Sequence, residues 1–532
     1  MLNFSALLVA VFIVCCACGG SDPIDHNLSI VGGRIIGNQR NGAGILSFFG
    51  IPYAAPPVGD LRWKSPRPPS SWSGVRNATQ FGFTCWQGLP QYPIFTPQDE
   101  DCLTINVWTP AKTAKDKLPV MVWVHGGGFV FGGGAEKETD GNLLAQEGVV
   151  VVKFNYRLNA FGFLAHPGLD QEGSFSGNFG LQDQLAALTW VKLNIAAFGG
   201  DPDHVTAFGE SAGAHAIGLL MSSPLSNGLF HKAIIESGSM WDSEHGSLMP
   251  FDLARRNGTN FAARLNATTI PQLRAVPAQT INDNTIFDFA IDPTLICFTP
   301  GVDRFVVPEP PATKASLKRQ LKIPLMAGWN RLEGNGFLPR AIPHMSPAQF
   351  KAGAEKYFGA RTLEFLALYP ADSRGQVNTS ADTLIGDLVI SEQTWEIGDT
   401  LRNSGVSDVY MYLYNYSSPY SPLPNHGVEF PFVFGNLLPS RIGVSPGKED
   451  FALSAKLRKY WTNFAKYTNP NGQGTDGLPI WPRYTTYGTG IFGIANTLGP
   501  IEYDLNRYRF IKSLRKNGVL PTEWMNINVD SL

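Results

Sequence analysis

The run Val205-Thr206-Ala207-Phe208-Gly209-Glu210-Ser211-Ala212-Gly213-Ala214 decides the fold. A short β-favouring stretch breaks into Gly-x-Ser-x-Gly and then into small, helix-compatible residues, the pattern of a strand that turns sharply into a helix. A serine hydroxyl is a useful nucleophile only when it is exposed, unhindered and beside a base, and such a turn projects Ser211 clear of the backbone. Gly209 and Gly213 flank it because a Cβ at either position would collide with the neighbouring strand or helix.

Upstream, Leu118-Pro119-Val120-Met121-Val122-Trp123-Val124 has the pattern of a buried strand and runs straight into His125-Gly126-Gly127-Gly128-Phe129. Consecutive glycines bare backbone N–H groups and permit positive φ, as a loop needs if it is to aim donors at an anionic oxygen. The nearby Gly132-Gly133-Gly134 shows that glycine runs occur elsewhere in this chain, so the triplet alone is equally compatible with a flexible loop.

With Glu100-Asp101-Cys102-Leu103-Thr104-Ile105-Asn106-Val107-Trp108, these segments resemble the type-B carboxylesterase/lipase family, which also contains the cholinesterases. Phe49-Gly50-Ile51-Pro52-Tyr53-Ala54, Pro56-Pro57-Val58-Gly59 and Leu61-Arg62-Trp63 resemble its N-terminal block. Asn178-Phe179-Gly180-Leu181-Gln182-Asp183-Gln184 and Phe198-Gly199-Gly200-Asp201-Pro202 resemble its approach to the nucleophile. The resemblance implies an α/β-hydrolase fold: a central, mostly parallel twisted sheet flanked by helices, with long loop and helical excursions. It also implies a serine hydrolase acting on carboxylic esters through an acyl-enzyme.

In that fold the chain order is Ser, then Asp or Glu, then His. Pro324 to Asn330 reads as a strand leaving into Arg331-Leu332-Glu333-Gly334-Asn335-Gly336-Phe337, which resembles the family's acid loop and marks Glu333. Pro424-Asn425-His426-Gly427-Val428-Glu429-Phe430-Pro431-Phe432-Val433-Phe434-Gly435 resembles its histidine loop and marks His426. His426 is expected to take the Ser211 proton and Glu333 to fix the imidazole tautomer. By the same resemblance, the N–H groups of Gly127, Gly128 and Ala212 form the oxyanion hole.

Of the nine histidines, only His426 sits in such a loop. His215 follows Ser211 closely, but on the next helix it should point one turn away from the hydroxyl. Glu210 is expected to point off the opposite side of the turn and to support the site from outside the triad. Ser237, in Ile234-Ile235-Glu236-Ser237-Gly238-Ser239, lacks the glycine two residues before it and is assigned a rim or supporting place.

The chain has 532 residues, 43% of them hydrophobic, with 56 Gly and 39 Pro and no linker, charge block or repeat that divides it. One large α/β domain over 21–532 with many loops fits better than several domains of roughly 100–200 residues each. A formal net charge of −2 with both signs interspersed suggests no nucleic-acid partner and no anionic membrane surface. Residues 1–20 have a signal-peptide profile: Leu7 to Val14 is apolar but short for a membrane span, and small residues follow. The leader lacks Lys or Arg ahead of that run, and a lipidated Cys16 or Cys18 is the rival. The C-terminus has neither a GPI nor a retention signal, so secretion without a stable membrane anchor is expected. Oligomeric state has no signature.

By the resemblance, Cys85 and Cys102 form the family's first disulfide, which suits an oxidising compartment and leaves Cys297 free or intermolecular. Six Asn-x-Ser/Thr triplets follow the expected signal, at Asn27, Asn77, Asn257, Asn266, Asn378 and Asn415, and are glycosylation candidates expected in surface loops.

In the family that the chain resembles, this disulfide loop carries a long lid in fungal lipases and a choline-binding Trp in cholinesterases; by that comparison the loop Trp86 to Asp101 is short for a large interfacial flap, and Trp86 lacks the spacing of the choline-binding indole. The expected substrate is a small ester with a short to medium acyl chain, with lipase or sterol-esterase activity the alternative. A catalytically dead adhesion protein, or a binding module with incidental hydrolysis, are the readings from other classes. No cofactor and no metal are implied: HExxH, paired CxxC, a P-loop lysine and a helix-opening GxGxxG are all lacking.

Overall fold

Continuous apolar runs in this chain become strands buried on both faces, as parallel sheets require. The computed structural model describes residues 23–88, 96–173, 175–239, 248–285, 298–335, 345–406, 408–439, 443–474, 477–485 and 489–516. The expected leader and Cys297 lie outside these residues, as do Gly336 and Phe337. Among the described residues the strands are β1 (Asn27–Ile30), β2 (Gly33–Ile36), β3 (Leu46–Pro52), β4 (Val75–Asn77), β5 (Thr104–Thr109), β6 (Leu118–Val124) and β7 (Val150–Phe154). They continue with β8 (Gly200–Glu210), β9 (Lys232–Glu236), β10 (Leu325–Asn330), β11 (Val409–Tyr414), β12 (Ile491–Ile494) and β13 (Leu498–Ile501).

A ten-stranded sheet has the order β13-β12-β11-β10-β9-β8-β6-β7-β5-β3, and β1-β2-β4 form a small separate sheet. From β7 across to β12 every neighbouring pair is parallel; β3–β5, β5–β7 and β12–β13 are antiparallel. The mostly parallel sheet expected from the sequence is therefore present. Alternation along the strands builds two cores. Val120, Val122, Val152, Ala207, Ile235 and Ala327 face one side, covered by the helices Phe179–Asn194 and Ala212–Ser222. Met121, Trp123, Val151, Phe208, Ile234 and Met326 face the other, covered by the helix Lys448–Tyr467. A third cluster joins the helices Pro347–Phe358, Arg374–Gly386 and Asn506–Lys516.

Two sequence blocks remote in the chain meet as buried forks. Arg62 Nε donates to Glu100 Oε1 at 2.7 Å and Nη2 to Oε2 at 2.5 Å. Arg157 makes the same bidentate contact with Asp183, at 2.8 and 2.7 Å. Cys85 and Cys102 are disulfide-bonded. Asn27 and Asn77 lie on β1 and β4, and Asn257 and Asn378 lie within helices. Only Asn266 and Asn415 lie in a turn or loop. The expectation of six loop positions is corrected to that extent: regular backbone runs through four of them. All are exposed except Asn257, which is half-buried.

Candidate active site

β8 ends at Glu210, the helix Ala212–Ser222 begins two residues later, and Ser211 alone makes the turn at φ 52°, ψ −123°. That backbone is sparsely populated for a residue with a Cβ and persists only where its surroundings hold it. The Ser211 N–H donates to the Glu236 carbonyl at 2.9 Å, and its carbonyl accepts from the His215 N–H at 2.8 Å. A Cβ on Gly209 would lie 2.6 Å from the Val124 carbonyl oxygen, and one on Gly213 would overlap that same oxygen. Both glycines are needed for close approach, as the sequence predicts.

The glycine loop leaving β6 crosses this turn: a Cβ on Gly126 would stand 2.7 Å from the Glu210 carbonyl and 3.2 Å from the Ser211 Cβ. Gly127 and Gly128 follow at φ +100° and +61°, conformations that turn peptide N–H groups off the usual course of a loop. Ala212 is the first helical residue, where backbone N–H groups have no intrahelical acceptor. The loop is tied down further on. The Gln87 side chain pairs with both the N–H and the carbonyl of Gly132, at 3.0 and 2.9 Å, and the Gly134 N–H donates to Asn155 Oδ1 at 2.6 Å.

β10 and β11 are neighbours, so the loops that follow them run together. Leu332 bridges to Asn425, and Asn330 Nδ2 donates to the Asn425 carbonyl at 2.7 Å and to Glu429 Oε2 at 2.5 Å. Asn335 Nδ2 adds a bond to Asn425 Oδ1 at 2.8 Å. This stitching brings Glu333 and His426 together: His426 Nδ1 lies 2.6 Å from Glu333 Oε2, while Glu333 Oε1 accepts the Asn330 N–H at 2.5 Å. His426 Nε2 is left facing Glu210, the residue before Ser211.

Glu210 departs from expectation. Its carboxylate does not point away from the site; Oε1 stands 3.2 Å from His426 Nε2, because the histidine loop folds back over the end of β8. Burial works against a charge on His426, but the carboxylates of Glu210 and Glu333 outweigh it and raise its pKa above 6.5. Burial raises the Glu210 pKa, with His426 opposing. Ser237 is fully buried at φ 54°, so it occupies no rim; its Oγ is 3.4 Å from Glu429 Oε1. Burial holds His215 and His125 down at about 4, so both are neutral at pH 7. Among the described residues no group of side chains could hold a metal ion, and no helix is long and apolar enough to cross a membrane.

A strand–Ser–helix turn, a glycine loop against it and a carboxylate-held imidazole lie on one edge of a mostly parallel sheet. The model of the carboxylesterase family matches residues 25–511. The chain belongs to the carboxylesterase family. This carboxylesterase is 36% identical over 468 residues to the fumonisin B1 esterase of Sphingopyxis macrogoltabida, covering 83% of this chain and 82% of that one. It is 36% identical over 530 residues to the cholinesterase of Mus musculus, covering 90% and 85%. With the para-nitrobenzyl esterase of Bacillus subtilis (strain 168) the identity is 36% over 474 residues, covering 85% and 91%. The carboxylesterase is a carboxylic-ester hydrolase of the α/β-hydrolase fold, and its substrates are small-molecule esters.

Sequence reading assigned no part to Asn330 or Glu429 in this carboxylesterase. The signal for Glu429 was its place three residues after His426; Asn330 carried none beyond ending a buried strand, because its partners come from a loop remote in sequence.

Proposed function

We propose that this carboxylesterase cleaves esters by a serine mechanism in which Ser211, His426 and Glu333 are the catalytic triad. The contact between Glu333 and His426 Nδ1, at 2.6 Å, carries the reading, since it occupies one ring nitrogen and leaves Nε2 for the serine. His426 Nε2 takes the Ser211 proton as Oγ attacks the ester carbonyl, then returns a proton to the leaving alcohol. Water repeats the cycle on the acyl-enzyme. Gly127, Gly128 and Ala212 hold the tetrahedral oxyanion through backbone N–H groups, each worth on the order of 10²–10³ in turnover in comparable sites. Glu210 stands beside the imidazole and supports its charge, and Ser237 supports the site through Glu429.

The substrates are esters of short to medium acyl chains, acted on after export from the cell. A disulfide and exposed Asn-x-Ser/Thr triplets support an exported, glycosylated protein. A fluorophosphonate probe, followed by mapping of the modified peptide, tests the nucleophile: labelling at Ser211 is expected, and a folded but unlabelled protein would overturn the mechanism. Nitrophenyl esters of rising chain length, compared below and above micelle formation, separate esterase from lipase. Turnover that falls with chain length and gains nothing from micelles is the expected outcome.

A further inference from the structure

Lys153 lies inside Val150-Val151-Val152-Lys153-Phe154, the fully buried strand β7, and is itself 1% exposed. Nothing in the proposed reaction uses it. An ammonium is retained in such a place only where its N–H groups find acceptors. Those it finds belong to the segment that carries the glycine loop. Nζ donates to Thr139 Oγ1 at 2.6 Å and to the Glu136 carbonyl at 3.2 Å, and it stands 5.8 Å from the Trp108 ring centre. Thr139 is fully buried, and the Glu136 side chain turns back to accept the Gly133 N–H at 3.2 Å.

The loop leaves β6 at Val124, and β6 and β7 are parallel neighbours. Its exit is therefore fixed on one strand and its return on the next. Lys153 acts on the return: a strand inside the sheet holds Glu136 and Thr139, Glu136 holds Gly133, and Gln87 and Asn155 hold Gly132 and Gly134. Gly127 is in turn bound to the same fold, its carbonyl accepting from the Val130 and Phe131 N–H groups at 3.0 and 3.1 Å. Resting on the serine-esterase reading, we propose that Lys153 is a positioning residue that sets the placement of the Gly127 and Gly128 oxyanion donors. Burial pulls its pKa down to about 8, with Glu136 opposing, so at neutral pH the ammonium keeps its donors.

The test compares wild type, Lys153→Met, Thr139→Val and the double variant, with active sites counted by fluorophosphonate titration so that a misfolded fraction is subtracted. For Lys153→Met, kcat per titrated site on p-nitrophenyl butyrate should fall about tenfold, part of what losing a whole donor costs. KM should stay within about twofold, because the donors act on the transition state. Affinity for a trifluoromethyl ketone, whose hemiketal oxyanion occupies the hole, should fall in proportion to kcat/KM. Thr139→Val should lose less, and the double variant no more than Lys153→Met, since both break one connection. Wild-type kcat and ketone affinity in Lys153→Met would overturn the role of Lys153 alone, as would a rise in KM with kcat unchanged. A wild-type protein that neither turns over the ester nor labels at Ser211 would overturn the esterase mechanism and this proposal together.

Discussion

His426 Nδ1 stands 2.6 Å from Glu333 Oε2, across a sequence separation of 93 residues, and Glu333 is only 2% exposed. A buried carboxylate so placed favours the tautomer with hydrogen on Nδ1, which leaves Nε2 free for the base role proposed for it. Glu333→Gln keeps the shape and loses that preference. Turnover of a nitrophenyl ester should fall by on the order of 10³–10⁴, with the circular dichroism melt close to wild type. A fall of less than about tenfold would count against Glu333 as the acid partner.

The pH dependence follows from the same imidazole. In the proposed mechanism only neutral His426 accepts the Ser211 proton, and nearby carboxylates raise its pKa above 6.5. The sign is therefore fixed: kcat/KM rises with pH and levels off above an apparent pKa higher than that of free imidazole. Glu210→Gln removes one of the two main carboxylates, so the limb should move to lower pH while Ser211 still labels. A limb that stays in place would show that Glu210 does not bear on the imidazole.

Gly213 lies against the Val124 carbonyl so closely that any Cβ overlaps it, and both partners are backbone. Gly213→Ala should cost more than about 3 kcal/mol in chemical denaturation, or prevent folding. Gly173, at φ +77° with open space around it, is the control. Gly173→Ala should cost only the strain of that backbone, about 1–2 kcal/mol.

Cys85 and Cys102 are 17 residues apart, and a loop of that size gives about 3 kcal/mol in the chain-entropy account. Cys85→Ser with Cys102→Ser should lower the stability to urea by about that amount. An unchanged midpoint would mean that the pairing does not hold in the protein as isolated.

Much of this was legible one residue at a time. The apolar run from Leu118 to Val124 marked β6 and the β-favouring run from Val205 marked the end of β8, and the two glycines around Ser211 predicted a turn whose crowding the fold then displays at Val124. Glu333 and His426 were readable through the family pattern of their loops. The contacts made by the supporting residues were not. Asn330 shows no periodicity that distinguishes it from other strand-ending residues, and for Ser237 the sequence leaves a rim and a supporting place open, between which its burial decides. The turn by itself sends Glu210 away from the site, and only the histidine loop folded over it brings its carboxylate to His426.

The division has a physical cause. Backbone conformation, strand burial and the need for glycine depend on neighbours along the chain, and they are written locally in residue type and spacing. Which nitrogen of His426 faces Glu210, why its proton is held more tightly than in water, and how Lys153 reaches Glu136 and Thr139 depend on loops that follow different strands. Those relations arise only when the parallel sheet sets β10 beside β11 and β6 beside β7, because electrostatic and hydrogen-bonding contacts act over a few ångströms of space, whatever the distance along the chain.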